Sequence, residues 1–173
     1  MLKIILLVVI LLAVGALAAV ALRPNTFRVQ RRATLKATPA TIAALIDDFR
    51  AWSRWSPWEK TDPTMARTFE GAARGVGAVY GWSGGKAGTG RMEIIEQTPS
   101  RIAIKLDFIK PFEAHNMAIF ALEPKDGGTE IVWTMEGPQP YVGKLMGLVF
   151  NSDKLVGGDF EKGLADLKRI SES

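Results

Sequence analysis

The pattern of hydrophobic and polar positions changes period twice along the chain. Ile4 to Leu22 is a run of 19 residues without a charge. At ~1.5 Å per residue a helix over that run is roughly 28 Å long, close to the hydrocarbon thickness of a bilayer, which predicts a single membrane span. From Thr26 to Lys36 the character turns to strand, with Phe27, Val29 and Leu35 separated by basic and polar residues that suit an exposed face. A helix signal follows at once. Thr38 precedes Pro39, and Ile42, Leu45, Ile46 and Phe49 recur at helical spacing, so Thr38 is the expected N-cap of a short amphipathic helix. Trp52, Trp55 and Trp58 come next at intervals of three, and Pro57 breaks that stretch.

Six segments of strand character fill the middle of the chain, at about residues 65–70, 77–83, 88–97, 101–109, 112–123 and 128–136. Short Gly, Pro and polar punctuations separate them: Ser83-Gly84-Gly85-Lys86, Thr98-Pro99-Ser100, Lys110-Pro111 and Lys125-Asp126-Gly127-Gly128. Turns of that length join consecutive antiparallel strands, so the segments predict a meander. Within it Ile102, Ile104, Leu106 and Phe108 alternate with Arg101, Ala103, Lys105 and Asp107, and Ile131, Trp133 and Met135 alternate with Glu130, Thr134 and Glu136. One face of the sheet is therefore buried. The helical period then returns: Val156, Phe160, Leu164, Leu167 and Ile170 form one stripe, while Asp159, Glu161, Lys162, Asp166 and Lys168 fill the rest. Gly157, Gly158 and Gly163 each cost this helix about 1 kcal/mol relative to alanine. Two readings of them stand, close approach to the sheet or room for a ligand.

Composition narrows the function classes. The chain has 173 residues, 47% of them hydrophobic; with the apolar N-terminus set aside, about 150 remain, the size of one domain. The expected division is an anchor at 1–25 and a domain at 26–173. A net charge of +4, with basic and acidic residues interspersed, leaves no nucleic-acid footprint. Arg28, Arg31 and Arg32 form the one basic cluster, suited either to lipid headgroups or to a solvated strand end. There is no cysteine and a single histidine, so disulfides, thiol nucleophiles and ordinary zinc sites are not expected, and no cofactor is implied. Gly85-Lys86 is followed by Ala87, and position 80 is Tyr, so the glycine-rich stretch from Gly71 to Gly90 fails as a phosphate loop. Gly75-Val76-Gly77 likewise lacks the third glycine of a dinucleotide site.

The N-terminal run has a rival reading. Lys3 and the Ala19-Val20-Ala21 small-x-small triplet also fit a cleaved signal peptide, but the run exceeds an h-region of about 7–15 residues, which favours the uncleaved single-pass anchor. Arg23, Arg28, Arg31 and Arg32 argue by the positive-inside rule for a cytoplasmic domain, whereas signal-anchor behaviour exports it, so the side of the membrane stays open. Oligomeric state has no signature in the chain.

Certain residues add a family likeness. Leu35-x-Ala37-x-Pro39-x-x-Ile42-x-x-Leu45-Ile46, followed by Asp48-Phe49-x-x-Trp52-x-x-Trp55-Ser56-Pro57, resembles the N-terminal signature of the polyketide cyclase/dehydrase branch of the START-like (SRPBCC) superfamily. Gly75-Val76-Gly77-Ala78, Trp133-x-Met135-x-Gly137 and Gly163-Leu164-x-x-Leu167-Lys168 match later family positions, so the likeness covers about residues 27–170. The resemblance implies an α+β helix-grip fold, an antiparallel sheet curled around the long C-terminal helix, here preceded by a transmembrane helix. It also implies a cavity, which in relatives holds lipids, polyketides or other apolar molecules.

Candidate site residues follow from that expectation. Tyr80 and Trp82 share a strand face and can line a pocket for an apolar or planar ligand, whereas Trp52, Trp55 and Trp133 are expected in the core. Arg91 and Glu93 project to one face of a strand, as do Glu113 and His115 on another. These four are candidate lining residues, with His115 and Glu113 a possible acid–base pair, or else solvated cross-strand pairs on the outer face. Tyr141 to Phe150 loads a connecting segment with apolar side chains, readable as a lid, as a segment dipping into the headgroup region, or as a helical turn packed on the domain. A membrane-anchored protein binding a hydrophobic small molecule or lipid is the leading expectation. A cyclase/dehydratase-like enzyme and a partner-binding module without a ligand are the alternatives.

Overall fold

Alternation and turn chemistry produce the meander that they predict. The computed structural model describes residues 1–125, 127–149 and 152–173. An apolar helix α1 (Leu2–Ala21) leads into β1 (Thr26–Leu35), then α2 (Pro39–Ile46) and two short 3-10 helices, Phe49–Arg54 and Pro57–Lys60. Six strands follow: β2 (Ala66–Gly71), β3 (Ala78–Gly84), β4 (Gly88–Thr98), β5 (Arg101–Lys110), β6 (Ala114–Lys125) and β7 (Gly128–Pro138). Helices α3 (Tyr141–Val149) and α4 (Ser152–Ser171) complete the described elements. Asp126 of the last predicted turn and Phe150 of the apolar connecting segment lie outside the described residues.

The strands form one antiparallel sheet in the order β1-β7-β6-β5-β4-β3-β2. Only β1 is out of sequence, closing against β7 because its inward residues, Val29 and Leu35, need the same core. The start of β1, the β3–β4 turn, the β5–β6 turn and the end of β7 all lie at one end of this sheet. The β5–β6 turn is longer than the sequence suggests. Pro111 has no N–H to give a ladder, and pairing resumes only at Phe108↔Ala114. Phe112 and Glu113 therefore belong to the turn rather than to β6.

Thr38 caps α2, its hydroxyl accepting from the Thr41 N–H at 3.2 Å, with Pro39 at the first helical position. At the other end of α2 two backbone carbonyls lack helical partners. The Trp52 indole donates to the Ile46 carbonyl and the Trp55 indole to that of Leu45, each at 2.8 Å. The threefold tryptophan spacing thus builds a cap, and Trp55 is fully buried.

Helix α4 lies against the concave face, with Phe160, Leu164 and Leu167 buried. Phe160 stacks on Trp133 with ring centroids 4.0 Å apart and planes 4° apart, and Phe120 covers Trp133 from a centroid distance of 4.9 Å. Close approach explains two of the three helix glycines. A Cβ at Gly163 would sit 2.8 Å from a Trp133 ring carbon and 3.2 Å from Pro57, and one at Gly157 would collide with the Arg31 guanidinium. Gly158 faces open space. Arg31 itself donates to Asp153 at 3.0 Å and to Glu161 at 2.7 Å. It clamps α4 to β1 instead of facing headgroups, which removes Arg31 from the basic cluster.

Candidate ligand cavity

Between the sheet and the tryptophan-bearing 3-10 helices, the helix-grip arrangement leaves a cavity of about 200 Å³. Its walls are aromatic and thioether. Trp52, Trp58, Tyr80, Trp82, Phe108 and Trp133 line it, with Met65, Met92 and Met135. Each sits there for a local reason. On β3, Tyr80 and Trp82 are two residues apart, so both point inward, their rings 6.0 Å apart and 22° from parallel. Gly90, the cross-strand partner of Trp82, leaves room for the indole, since a Cβ there would collide with its six-membered ring. The Trp82 N–H donates to the Ala87 carbonyl at 3.2 Å, and Phe108 packs edge-on against its ring at 5.8 Å.

One wall is polar. Glu59, in the second 3-10 helix, has a side chain only 9% exposed, and one carboxylate oxygen accepts from the Tyr80 hydroxyl while the other accepts from Arg67 Nε at 2.8 Å. Arg67 also donates to the Met65 carbonyl at 2.8 Å, holding the fork in place. Burial, reinforced by the Glu59 carboxylate, raises the pKa of Tyr80, so at neutral pH the phenol is a donor. A second buried donor, the Trp133 indole N–H, has no partner among the described residues. The site thus combines a largely apolar enclosure with a hydrogen-bonded carboxylate–phenol pair.

The mouth of the cavity is latched. Asp62, 4% exposed, accepts from the Thr64 hydroxyl at 2.7 Å and from the backbone N–H groups of Lys86 at 3.0 Å and Ala87 at 3.4 Å. The Thr64 hydroxyl and then the Lys86 N–H hold its pKa down at about 2, against the opposing effect of burial. Loop 61–65 and the β3–β4 turn are thereby joined beside the exposed lining residues Thr61 and Lys86.

Of the six residues nominated from sequence, the structure brings Tyr80 and Trp82 to the cavity. Arg91, Glu93, Glu113 and His115 stand outside it, which corrects the expectation that all six share one lining. For Arg91, Glu93 and His115 the reason is strand phase, and Glu113 lies in the β5–β6 turn. Gly90, Met92 and Ile94 of β4 are buried, so Arg91 and Glu93 point to the outer face, where they pair at 2.8 Å. Likewise Asn116, Ala118 and Phe120 of β6 turn inward, and His115 turns out. There His115 Nδ1 lies 2.7 Å from Asp107 and Nε2 lies 3.1 Å from Glu113, and these two carboxylates raise its pKa. Glu59, Phe108 and the three methionines line the cavity without a signal in the sequence. Glu59 was visible only as a lone carboxylate in a tryptophan-rich stretch.

Residues 26–172 match the family model described as polyketide cyclase / dehydrase and lipid transport. The chain belongs to that family. It is a polyketide cyclase / dehydrase and lipid transport family member in fold as well as sequence, for solved structures share its architecture. Protein CV1439 from Chromobacterium violaceum superposes with a TM-score of 0.61 at 18% identity, over 87% of this chain and 99% of that one. The Aha1 dimer protein from Colwellia psychrerythraea gives 0.57 at 14%, over 84% and 96%. The di-domain ARO/CYC StfQ from the steffimycin biosynthetic pathway gives 0.61 at 10% identity, over 85% of this chain and 51% of that one. At such identities the likeness is one of fold. A comparison with curated proteins finds no match. The family signature has a structural explanation in this chain, because Trp52 and Trp55 are committed to capping α2, and Trp52 alone of the two reaches the cavity wall.

Proposed function

We propose that this family member is a membrane-tethered binding protein that takes an apolar small molecule into its helix-grip cavity. Residues 1–25 form the tether and 26–173 the binding domain. The observation that carries the reading is the cavity of about 200 Å³ walled by six aromatic rings and three methionines. An apolar cavity of ~150 Å³ holds a benzene-sized guest, so this volume suits a one- or two-ring ligand, or the end of an acyl chain. A whole diacyl lipid exceeds it. Methionines adapt to irregular guests, while Glu59, Tyr80 and the Trp133 N–H supply the few polar contacts that orient one. The α1 helix, 20 residues long with Lys3 as its single charged residue, supports the tether, which holds the domain where apolar ligands partition.

Titrating the detergent-solubilised full chain with the two-ring probe 1-naphthylamine tests this, because four of its five tryptophans line the cavity. Saturable one-to-one quenching of tryptophan emission, lost in Trp82→Ala, is expected. A non-saturating response identical in both proteins overturns the reading. The cyclase/dehydratase alternative draws support from one observation, the buried Glu59–Tyr80 pair in an apolar wall, which is placed for proton transfer. Turnover of a bound carbonyl compound that vanishes in Glu59→Gln, with binding retained, distinguishes it from a carrier.

A further inference from the structure

The cavity opens at the same end of the sheet at which the chain leaves α1, and the side chains there are unusually apolar for a surface. We infer that this end is a second bilayer contact, in which the β5–β6 turn and α3 seat the domain with its cavity mouth toward the lipid. The inference rests on the reading of α1 as a membrane span.

Register supplies the geometry. Four residues, 22–25, separate α1 from β1, a reach of at most ~14 Å. The gap is held closed. Lys144 of α3, 4% exposed, donates to the Ala21 carbonyl at 3.2 Å and to the Asn25 side chain at 2.7 Å, and the Tyr141 hydroxyl donates to the Leu17 carbonyl at 3.3 Å. Thr26 pairs with Pro138, and the Gln139 N–H donates to the Asn25 carbonyl at 2.7 Å, so residue 25 continues the strand line toward α1. Met117 pairs with Glu136, which puts His115 level with Pro138 and Thr26. Phe112 lies three residues beyond His115, up to roughly 10 Å further toward the span at ~3.3 Å per residue. The β5–β6 turn therefore projects from the same end of the sheet as residues 22–25.

Its chemistry fits lipid. Phe112 is 81% exposed and Ile109 54%, while Val142 and Met146 of α3 are 69% and 51% exposed. Beyond these, and Leu22 and Tyr141 at the junction, the exposed large apolar side chains described in the domain are Phe69, Val76, Ile95 and Leu155. Phe69 is covered by the Arg50 guanidinium at 4.9 Å. Lys86 and Lys110 are exposed at the same end and suit anionic headgroups, and the Glu113 carboxylate is engaged by His115. The turn also borders the mouth. Thr89 pairs with Lys110, and a Cβ at Gly88 would collide with the Lys110 carbonyl, so the β3–β4 turn that carries Lys86 rests on the β5–β6 turn. An apolar ligand can then pass between bilayer and cavity without crossing bulk water.

The absence of cysteine permits a clean test. Phe112→Cys, Val142→Cys, Ser100→Cys and Leu11→Cys variants of the full chain are labelled with nitrobenzoxadiazole and reconstituted in phosphatidylcholine/phosphatidylglycerol vesicles. Quenching by shallow spin-labelled lipid is then read, with deep-labelled lipid for Leu11. The expected result is several-fold stronger quenching at 112 and 142 than at 100, which lies in the β4–β5 turn at the far end of the sheet. Quenching at Leu11 with 112 and 142 no more quenched than 100 overturns the inference and leaves the tether standing. Quenching at only one of 112 and 142 overturns the two-point seat. A Leu11 label untouched by either lipid overturns the tether and the inference together.

Discussion

Filling the cavity makes a prediction whose sign is set by the structure. Ala118 is 3% exposed, lies on β6 between Ile104 and Met135, and lines the cavity. Ala118→Leu adds three carbon atoms to that space. At ~0.8 kcal/mol per buried methylene the gain is at most ~2.4 kcal/mol, and ordering the leucine rotamer returns ~0.5–1 of it, leaving a net stabilisation of about 1.5 kcal/mol. For a chain of this size, ~2–4 °C per kcal/mol translates that into a Tm rise of about 3–6 °C. If the space were already filled, overpacking would instead cost ~1–3 kcal/mol and lower Tm. The assay is thermal unfolding of the full chain in detergent, followed by near-ultraviolet circular dichroism, which reports aromatic packing and is insensitive to α1. Naphthylamine binding is measured in parallel. A higher Tm with binding lost supports an open cavity. A Tm lowered by several degrees refutes it.

Three further outcomes follow from the same geometry. Tyr80→Phe and Glu59→Gln each remove a hydrogen bond to a charged partner and are each expected to cost about 1.5–3 kcal/mol. In a double-mutant cycle read by denaturant unfolding, a coupling above ~1 kcal/mol is expected, and additivity would separate the two residues. Asp62, held at a pKa of about 2, titrates below the ~3.9 of an unfolded aspartate. Its latch therefore stabilises fully above that value and is lost as pH falls through about 2, so the stability gap between wild type and Asp62→Asn should shrink across that window; a constant gap contradicts the latch. His115→Gln should leave naphthylamine affinity unchanged, because the imidazole is on the outer face with Asp107 and Glu113. A large loss of affinity would place His115 in the binding machinery after all.

Much of the fold is legible in the sequence. Turn residues such as Lys110-Pro111 and Thr98-Pro99-Ser100 punctuate runs of strict alternation, and Thr38-Pro39 marks the start of α2, because local chemistry alone decides these features. The cavity was legible only in part. Tyr80 and Trp82 announce themselves as large rings on one strand face. For Arg91, Glu93 and His115 the sequence leaves two directions open, cavity lining or outer-face pairs, and burial of Met92, Ile94 and Phe120 on the opposite phase decides for the outer face. Glu59 has no such marker. It sits in a single 3-10 turn, too short for a periodic signal, and its inward direction is set by Tyr80 and Arg67 from two distant strands. Gly163 and Gly157 were recognisable as anomalies in a helix, but the Trp133 ring and the Arg31 guanidinium that require them lie on other elements. The α1–α3 junction through Lys144 is likewise purely tertiary.

The central claim is that the cavity holds an apolar guest. Native mass spectrometry of the full chain, extracted from membranes in mild detergent, tests it most directly. The account predicts a bound species of one- or two-ring or acyl character at one per chain, absent from Ala118→Leu prepared in the same way. A wild-type chain found empty across preparations, or a species carried equally by Ala118→Leu, would contradict it.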